Sequence, residues 1–534
     1  MFLLFLSNCL QCTNPKHNFK IYKEKTFFTR LRSEPENLHP IKSTDVYSNI
    51  IHSYTLESLL QRNITTYEWE PLLAKSWTIS PDNKTFTFEI FNNLKWSDGK
   101  DLTVQDIKFS FLAYKDPAYG GIHYLPYLEK IESVTILSDS KIQFQAKEVY
   151  FGNFQVIANL DIIPEHIYKD SKAKLSKTVI GSGPYMISHY IKGKILVLKK
   201  NPYWQRENNP ALKNTFSFPN IAYRFISDET DSLLRMEKEH LDFSSLTAEA
   251  YLKKTLSEVW KTKIKKVEFS NKQPSNYGYI AFNLKRKLFQ DQKLRKALAL
   301  LLNRELIKEK IFYNKVELAR GPWYFWSDYA DSEVQAIKFN PQLAKKLLKE
   351  SGWADRDQNG ILEKEFEGRK KELSFTLIFA NKDAEQYLTI YQEDLKKNGI
   401  QLKLKTLDWT SFLKIIDDKN FDTVALGWGG GSVDLDPKGI WHSSSSKKGG
   451  HNFISYSNLK VDALIEKGRS TMNRQERIKI FKKVYRLIAS DVPYIFLFNT
   501  KKNFYSVNQR IKTYKPSFNY SIGVKFWRFK LLDE

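Results

Sequence analysis

Beyond residue 12 this 534-residue chain contains no cysteine: its two, Cys9 and Cys12, both stand in the first dozen residues. No second Cys/His pair exists to complete a zinc site with them, and no strand precedes them as one precedes a redox Cys-x-x-Cys pair. Long hydrophobic runs are missing too. The apolar stretch at the N-terminus is too short to cross a bilayer, which takes about 20 residues, and no second such span follows. The chain has no His-Glu-x-x-His, no Gly-x-Ser-x-Gly and no clustered His/Cys set, so it lacks the usual marks of a metalloprotease or serine hydrolase. A pair of carboxylates remains the one catalytic alternative. Internal repeats and low-complexity linkers are also absent, which excludes a solenoid.

What is present describes a folded, multi-domain protein. A chain of 534 residues exceeds the roughly 250 to 300 at which a single core stops growing, so at least two domains are expected. Hydrophobic residues at 42% and aromatics at 14% are enough to fill packed cores. The net charge of +24, from 84 basic and 60 acidic residues, raises the alternative of a nucleic-acid-binding protein. The bases are scattered, though, and commonly sit beside acids, as in Lys345 to Glu350 and Lys364 to Glu372. That pattern reads as a lysine-rich solvated surface attracted to anionic envelope material rather than to nucleic acid.

The leader, MFLLFLSNCLQC, reads as the tail of a signal peptide. Within it Leu6-Ser7-Asn8-Cys9 resembles a bacterial lipobox, which makes Cys9 the expected lipidated residue and Cys12 the alternative. Stable anchoring needs the several acyl chains that lipoprotein processing attaches, since one chain binds a membrane only marginally.

Strands alternate with helices along the chain. Thr85 to Ile90 alternates polar and apolar residues as a half-buried strand does, and Thr103 with Asp106 caps a helix. Lys293 to Tyr313 reads as one long buried helix. Asn340-Pro341 opens a helix that closes at Gly352, and Asp383 to Asn398 forms another that closes at Gly399. Strand Ile400 to Leu404, helix Trp409 to Lys419 and strand Thr423 to Trp428 follow, then helices at Leu459 to Thr471 and Arg474 to Ser490. This order predicts an α/β protein with parallel sheets covered by helices, whose ligands sit beyond the carboxyl ends of strands.

Trp428 and the glycines after it occupy such an end. Gly427-Trp428-Gly429-Gly430-Gly431-Ser432 lacks the lysine of a phosphate loop and the last glycine of a dinucleotide fingerprint. It offers instead a backbone that a ligand can approach closely, beside an indole wall. Asp434 and Asp436 follow and are suited to holding a ligand ammonium rather than to catalysis. Asp355, Asp357, Asn359 and Gly360 fit the first half of a calcium loop. The twelfth place is Phe366, with Glu363 and Glu365 nearby, so the segment reads as a surface turn and no metal is expected.

Three stretches carry a resemblance: Glu70-Pro71-Leu72-Leu73-Ala74-Lys75-Ser76-Trp77, Ile79 to Phe88, and Trp96-Ser97-Asp98-Gly99-Lys100-Asp101-Leu102-Thr103 running on to Ile107. Together with Gly181-Ser182-Gly183-Pro184-Tyr185, Asn201-Pro202-Tyr203-Trp204, Phe282-Asn283-Leu284, Trp441-His442-Ser443-Ser444 and Val461 to Ile465, they closely resemble family 5 extracellular solute-binding proteins, the peptide and nickel receptors of ABC importers. The resemblance implies a type II, class C periplasmic-binding fold: two lobes joined by a hinge, plus an inserted domain. Lobe I would combine residues 20–52, 178–280 and 491–534. The inserted domain would be 53–177 and lobe II 281–490, with hinge crossings near 280 and 490. It further implies a monomeric, non-enzymatic, membrane-anchored receptor outside the cytoplasm, without cofactor or nucleic acid, that delivers a peptide or peptide-like ligand to an ABC permease. Trp409 and Trp428 match, by surrounding sequence, tryptophans that wall side-chain pockets in oligopeptide receptors. The place of the aspartate that pairs with the peptide α-ammonium there is Gly431 here, which leaves Asp434 the nearest candidate. Ala425 stands where some relatives carry an arginine for the peptide carboxylate.

Overall fold

Strand Thr85–Ile90 buries Phe86, Phe88 and Ile90 and turns the residues between them outward, as its alternation predicts. In the computed structural model, which describes residues 21–531 apart from 171–176, 205, 207–208, 275, 367 and 430–431, this strand belongs to an antiparallel sheet. The sheet runs Ala74–Ile79, Thr85–Ile90, Lys141–Ala146, Ile131–Ser138. Helix Val104–Lys115 covers it, opened by a capping box in which the Thr103 and Asp106 side chains each accept from the other's end of the turn. Trp96, Phe111 and Phe144 fill the core between them. The leader with Cys9 and Cys12 lies outside the described residues, as do Gly430 and Gly431.

Two larger sheets form the lobes. One has seven strands in the order Ile264–Phe269, Asn503–Asn508, Phe243–Leu246, Thr26–Leu31, Asn220–Phe225, Ile195–Lys200, Tyr185–Ile191. The other has six: Val316–Leu318, Tyr494–Thr500, Tyr277–Phe282, Thr423–Trp428, Ser374–Phe379, Gln401–Thr406. Neither is the all-parallel sheet expected from the helix and strand order. Parallel pairing is confined to Thr26–Leu31 with its two neighbours and to Ser374–Phe379 with its two neighbours. The remaining pairs are antiparallel. Tyr185–Ile191, Ile195–Lys200 and Asn220–Phe225 follow one another as a meander within one sheet, and Asn503–Asn508 enters that sheet directly from the other lobe, so neither route uses a crossover helix. Two segments connect the lobes, 270–276 and 501–502. They are displaced from the crossings expected near 280 and 490, since Tyr277–Phe282 and Tyr494–Thr500 pair with each other inside the six-stranded sheet.

The long helix expected over Lys293 to Tyr313 is two helices, Gln292–Leu300 and Arg304–Lys310. Asn303 breaks it: its side chain accepts from the Leu306 N–H and so starts a new helix. The turn also points Arg304 inward, where its guanidinium donates to the carbonyls of Ala319, Phe496 and Ile337. Helical periodicity survives such a break, since Leu301 and Leu302 are both fully buried.

Where the chain leaves the inserted domain, backbone passes against backbone. A Cβ on Gly181 would lie 1.9 Å from the carbonyl oxygen of Thr55, and one on Gly183 2.6 Å from that of Tyr54. The Gly183 N–H donates to Thr55 O at 3.0 Å, and Gly181 O accepts from Ser97 N at 2.9 Å. Asn201 Nδ2 secures the same turn by donating to Gly183 O at 2.9 Å. These glycines are therefore fixed by close approach, and they weld the inserted domain to the first lobe.

Candidate functional site

The three units meet at a cavity of about 360 Å³. Ser43, Thr44 and Asn49 line it from the first lobe, Tyr124, Tyr127, Tyr150 and Asp161 from the inserted domain, and Asp434, Asp436 and His451 from the second lobe. A second cavity of about 370 Å³ shares His123 and His451 with it. Both volumes fall in the range of small-molecule sites.

Contacts cross between the units on each side. Arg32 of the first lobe pairs with Asp383 of the second. Tyr47 meets Trp409 edge to face, with ring centroids 5.7 Å apart. From the inserted domain, the Tyr67 hydroxyl accepts from Val433 N–H at 3.2 Å, and Gln155 Oε1 accepts from the Ser432 hydroxyl at 3.2 Å. The strongest tie centres on Arg469, whose side chain is 1% exposed. Its Nε donates to Asp436 Oδ2 at 2.9 Å, and its Nη1 donates to Glu129 Oε1 at 2.7 Å. Tyr150 OH donates to the same Asp436 oxygen at 2.5 Å, the Tyr150 ring lies under the guanidinium, and Lys438 pairs with Glu129. Burial opposes the charge on Arg469, but Asp436, Tyr150, Glu129 and Glu466 overcome that and hold its pKa above the ordinary arginine value. Burial likewise works against the Glu129 carboxylate, and the bonds from Lys438 and Arg469 reverse this and lower its pKa.

Among the expected site residues, Asp434 and Asp436 reach the cavity wall with their charges already matched. Asp434 Oδ1 accepts from the Tyr329 hydroxyl at 3.0 Å and from Arg474 Nε at 3.1 Å. Trp428 and Trp409 do not line the cavity. Trp428 stands behind it, its ring centroid 5.5 Å from that of His451 and its Nε1 3.4 Å from the Tyr494 hydroxyl. Trp409 opens helix Trp409–Asp417 and stacks on Phe412, and its indole N–H is buried without a partner. Gly429 faces open space: a Cβ there would meet nothing within 4 Å, so packing does not demand a glycine. Gly430 and Gly431 cannot be placed, being outside the described residues.

Asp161 was not among the residues singled out in the sequence. Its carboxylate borders the cavity without a hydrogen-bond or ion-pair partner among the described residues, and burial pushes its pKa up to about 7. Burial also pushes His451 down to about 4, and burial with the nearby His451 pushes His123 down to about 3. At neutral pH the two imidazoles are therefore uncharged, and among the described residues Asp161 is the one acid lining this cavity without a hydrogen-bond or ion-pair partner. Its local sequence, Ala158-Asn159-Leu160-Asp161-Ile162-Ile163, carries no motif. Only its place on the cavity wall without a partner reveals it.

Two α/β lobes joined by two crossings, with an inserted domain closing a cavity between them, define the type II periplasmic-binding fold. Residues 68–450 match the family model of bacterial extracellular solute-binding proteins, family 5 middle, and the chain belongs to that family. It is 29% identical over 497 residues to the oligopeptide-binding protein AppA of Bacillus subtilis, covering 90% of this chain and 87% of AppA. It is 24% identical over 518 residues to the dipeptide-binding protein of Escherichia coli, covering 92% of each. The solved structure of Bacillus subtilis AppA in complex with a nonapeptide matches with a TM-score of 0.84 at 26% identity, over 95% of this chain and 99% of that one. NikZ from Campylobacter jejuni in complex with Ni(L-His) shares the fold, with a TM-score of 0.78 at 23% identity over 94% and 99% of the two chains. Among the described residues no helix is long and apolar enough to cross a membrane.

Proposed function

We propose that this protein is the substrate-binding component of an ABC importer, that it captures peptides or peptide-like solutes between its lobes, and that it hands them to a membrane permease. The observation that carries this reading is the unmatched carboxylate of Asp161 on the wall of a cavity built by all three units. A half-buried, unpaired acid on a cavity wall receives a ligand ammonium, as at a peptide N-terminus, and the ammonium in turn restores its charge. Relatives support the ligand class, since AppA is seen with a nonapeptide and the DppA of Helicobacter pylori with the peptide STSA. Asp434 is the alternative partner for the ammonium, at the cost of sharing its bonds with Tyr329 and Arg474. Gly429 leaves room for backbone approach, and Trp409 and Trp428 stiffen the walls. The lobes touch across the cleft, which is the arrangement that holds a ligand. They swing apart about 270–276 and 501–502 to admit and release it. The chain works as a monomer held outside the cytoplasm by lipid on Cys9, and the support for that anchor is the sequence around Cys9.

Native mass spectrometry of the protein purified without denaturant tests the ligand class. The expected result is a mass increment of a short peptide or another ammonium-bearing solute, lost on mild unfolding. Recovery of bare protein that also gives no heat with peptides from two to nine residues long would contradict the proposal.

A further inference from the structure

In the second lobe, the loop after helix Pro341–Glu350 gathers acids. Ala354 and Glu363 close it with a pair of backbone hydrogen bonds, at 3.2 and 2.9 Å, and the hairpin of Glu363–Phe366 with Arg369–Glu372 follows. Gly360, at φ +84°, turns the chain back so that its N–H donates to Asp355 Oδ2 at 3.0 Å. Carboxylate oxygens of Asp355, Asp357 and Glu363 then lie within 4.8 Å of one another.

An acid cluster on a surface turn explains itself by solvation, and Asp355 and Asp357 are exposed. Glu363 is not solvated, because the residue is 1% exposed. Its Oε1 accepts from Arg356 N–H at 2.9 Å, while its Oε2 is buried with no hydrogen-bond partner. Burying a carboxylate with one oxygen unmatched, beside two other carboxylates, is costly unless a cation completes it. The Arg356 guanidinium does not supply that cation, since it donates to the carbonyls of Glu363 and Gly352. Lys370 comes nearest: it pairs with Asp357 and stands 3.6 Å from Glu363 Oε1, but its side chain is 52% exposed and free to swing out. One ammonium faces three carboxylates.

We propose that the Asp355–Glu363 loop is a calcium site, with Asp355, Asp357 and Glu363 as carboxylate ligands and water and loop carbonyls completing the shell. Hard oxygen donors select a hard dication, and Ca–O distances of about 2.3 to 2.6 Å let ligands on opposite sides of one ion stand about 5 Å apart. Glu363 takes the ninth place counted from Asp355, so Phe366 at the twelfth is released to pack on Trp353, with ring centroids 5.8 Å apart. The ion fastens the hairpin to the helix end and to the 399–401 turn, where Leu362 N–H donates to Gly399 O at 2.8 Å. Sites of this kind outside cells bind with Kd of about 0.1 to 1 mM.

The test uses the whole protein, stripped with chelator, titrated with calcium by calorimetry and with terbium by luminescence sensitised by Trp353. One calcium per chain is expected, with a rise in Tm at about 10 mM calcium. Asp357→Asn, an exposed change that leaves the fold intact, is expected to weaken binding at least roughly tenfold. Lys370→Gln is expected to tighten it by removing the competing ammonium. No binding by the wild type up to about 10 mM calcium, binding unchanged in Asp357→Asn, or weaker binding in Lys370→Gln would each overturn the site. None of these outcomes depends on what the cleft holds.

Discussion

Replacing Arg469 by Ala is expected to lower ligand affinity by roughly two powers of ten. The guanidinium ties the inserted domain, through Glu129 and Tyr150, to Asp436 of the second lobe, and among the described residues no other cation pairs with Asp436. Breaking a buried pair from one side strands the other charge and costs about 3 to 5 kcal/mol. That cost falls on the closed arrangement, in which the pair is buried, so the closed population shrinks and apparent affinity falls with it. Arg469→Met combined with Asp436→Leu should recover most of the loss, because an apolar pair leaves no stranded charge. Calorimetry with the co-purifying solute checks both variants. Affinity within about threefold of wild type in Arg469→Ala would show that the tie does not hold the cleft shut.

The second large effect concerns Asp161. Asp161→Asn is expected to weaken binding of an ammonium-bearing ligand by about 1.5 to 3 kcal/mol, the worth of a charge-assisted hydrogen bond. In the wild type that affinity should rise between pH 5.5 and 8, because only the ionised acid attracts an ammonium and its pKa stands at about 7. The Asn variant should show no such rise. Stability of the free protein runs the other way. With a folded pKa above its unfolded value, Asp161 binds a proton more tightly in the folded state, so the stability it lends below about pH 4 is lost as pH climbs through about 7. Asp161→Asn should therefore stabilise the free protein at pH 8 by about 2 kcal/mol while it damages binding. His123 and His451 act oppositely: with lowered folded pKa values their contribution is complete above about 6.5 and fades as pH falls toward 4 and 3. Equal pH profiles for wild type and Asp161→Asn would remove Asp161 from the site.

Much of the architecture was legible in the sequence because the residues that carry the family resemblance are largely structural. Gly181 and Gly183 admit the backbone of Tyr54 and Thr55. Asn283 bonds the carbonyls of Lys419 and Phe421, and Ser443 bonds Asp462. Such residues serve the fold, and they say little about the ligand. The long helix was misread because periodicity records burial but not the cap at Asn303 that interrupts it. Strand direction was misread because helix and strand order does not show which neighbours are joined by direct returns, as Tyr185–Ile191, Ile195–Lys200 and Asn220–Phe225 are. The site was the least legible part. Asp434 and Asp436 stood out as neighbours, yet both are matched by arginines forty and thirty-three residues along the chain. Asp161 drew no notice because an acid's lack of partners is a property of three dimensions. The same holds for Glu363, whose meaning changes once its Oε2 is seen to be buried.

The charge of +24 needs no nucleic acid in this account. Some of its lysines pair with acids on the surface, as Lys293 with Glu350 and Lys448 with Asp418 do. Exposed pairs of this kind add little stability and keep the protein soluble near anionic surfaces.

Small-angle X-ray scattering of the stripped protein and of the same protein saturated with its co-purifying solute tests the central claim most directly. A hinged receptor should be larger when stripped and should contract on saturation to the profile of the structure described here, and Arg469→Ala should stay expanded until far higher solute concentrations. Identical profiles with and without bound solute would contradict closure of the lobes as the means of capture.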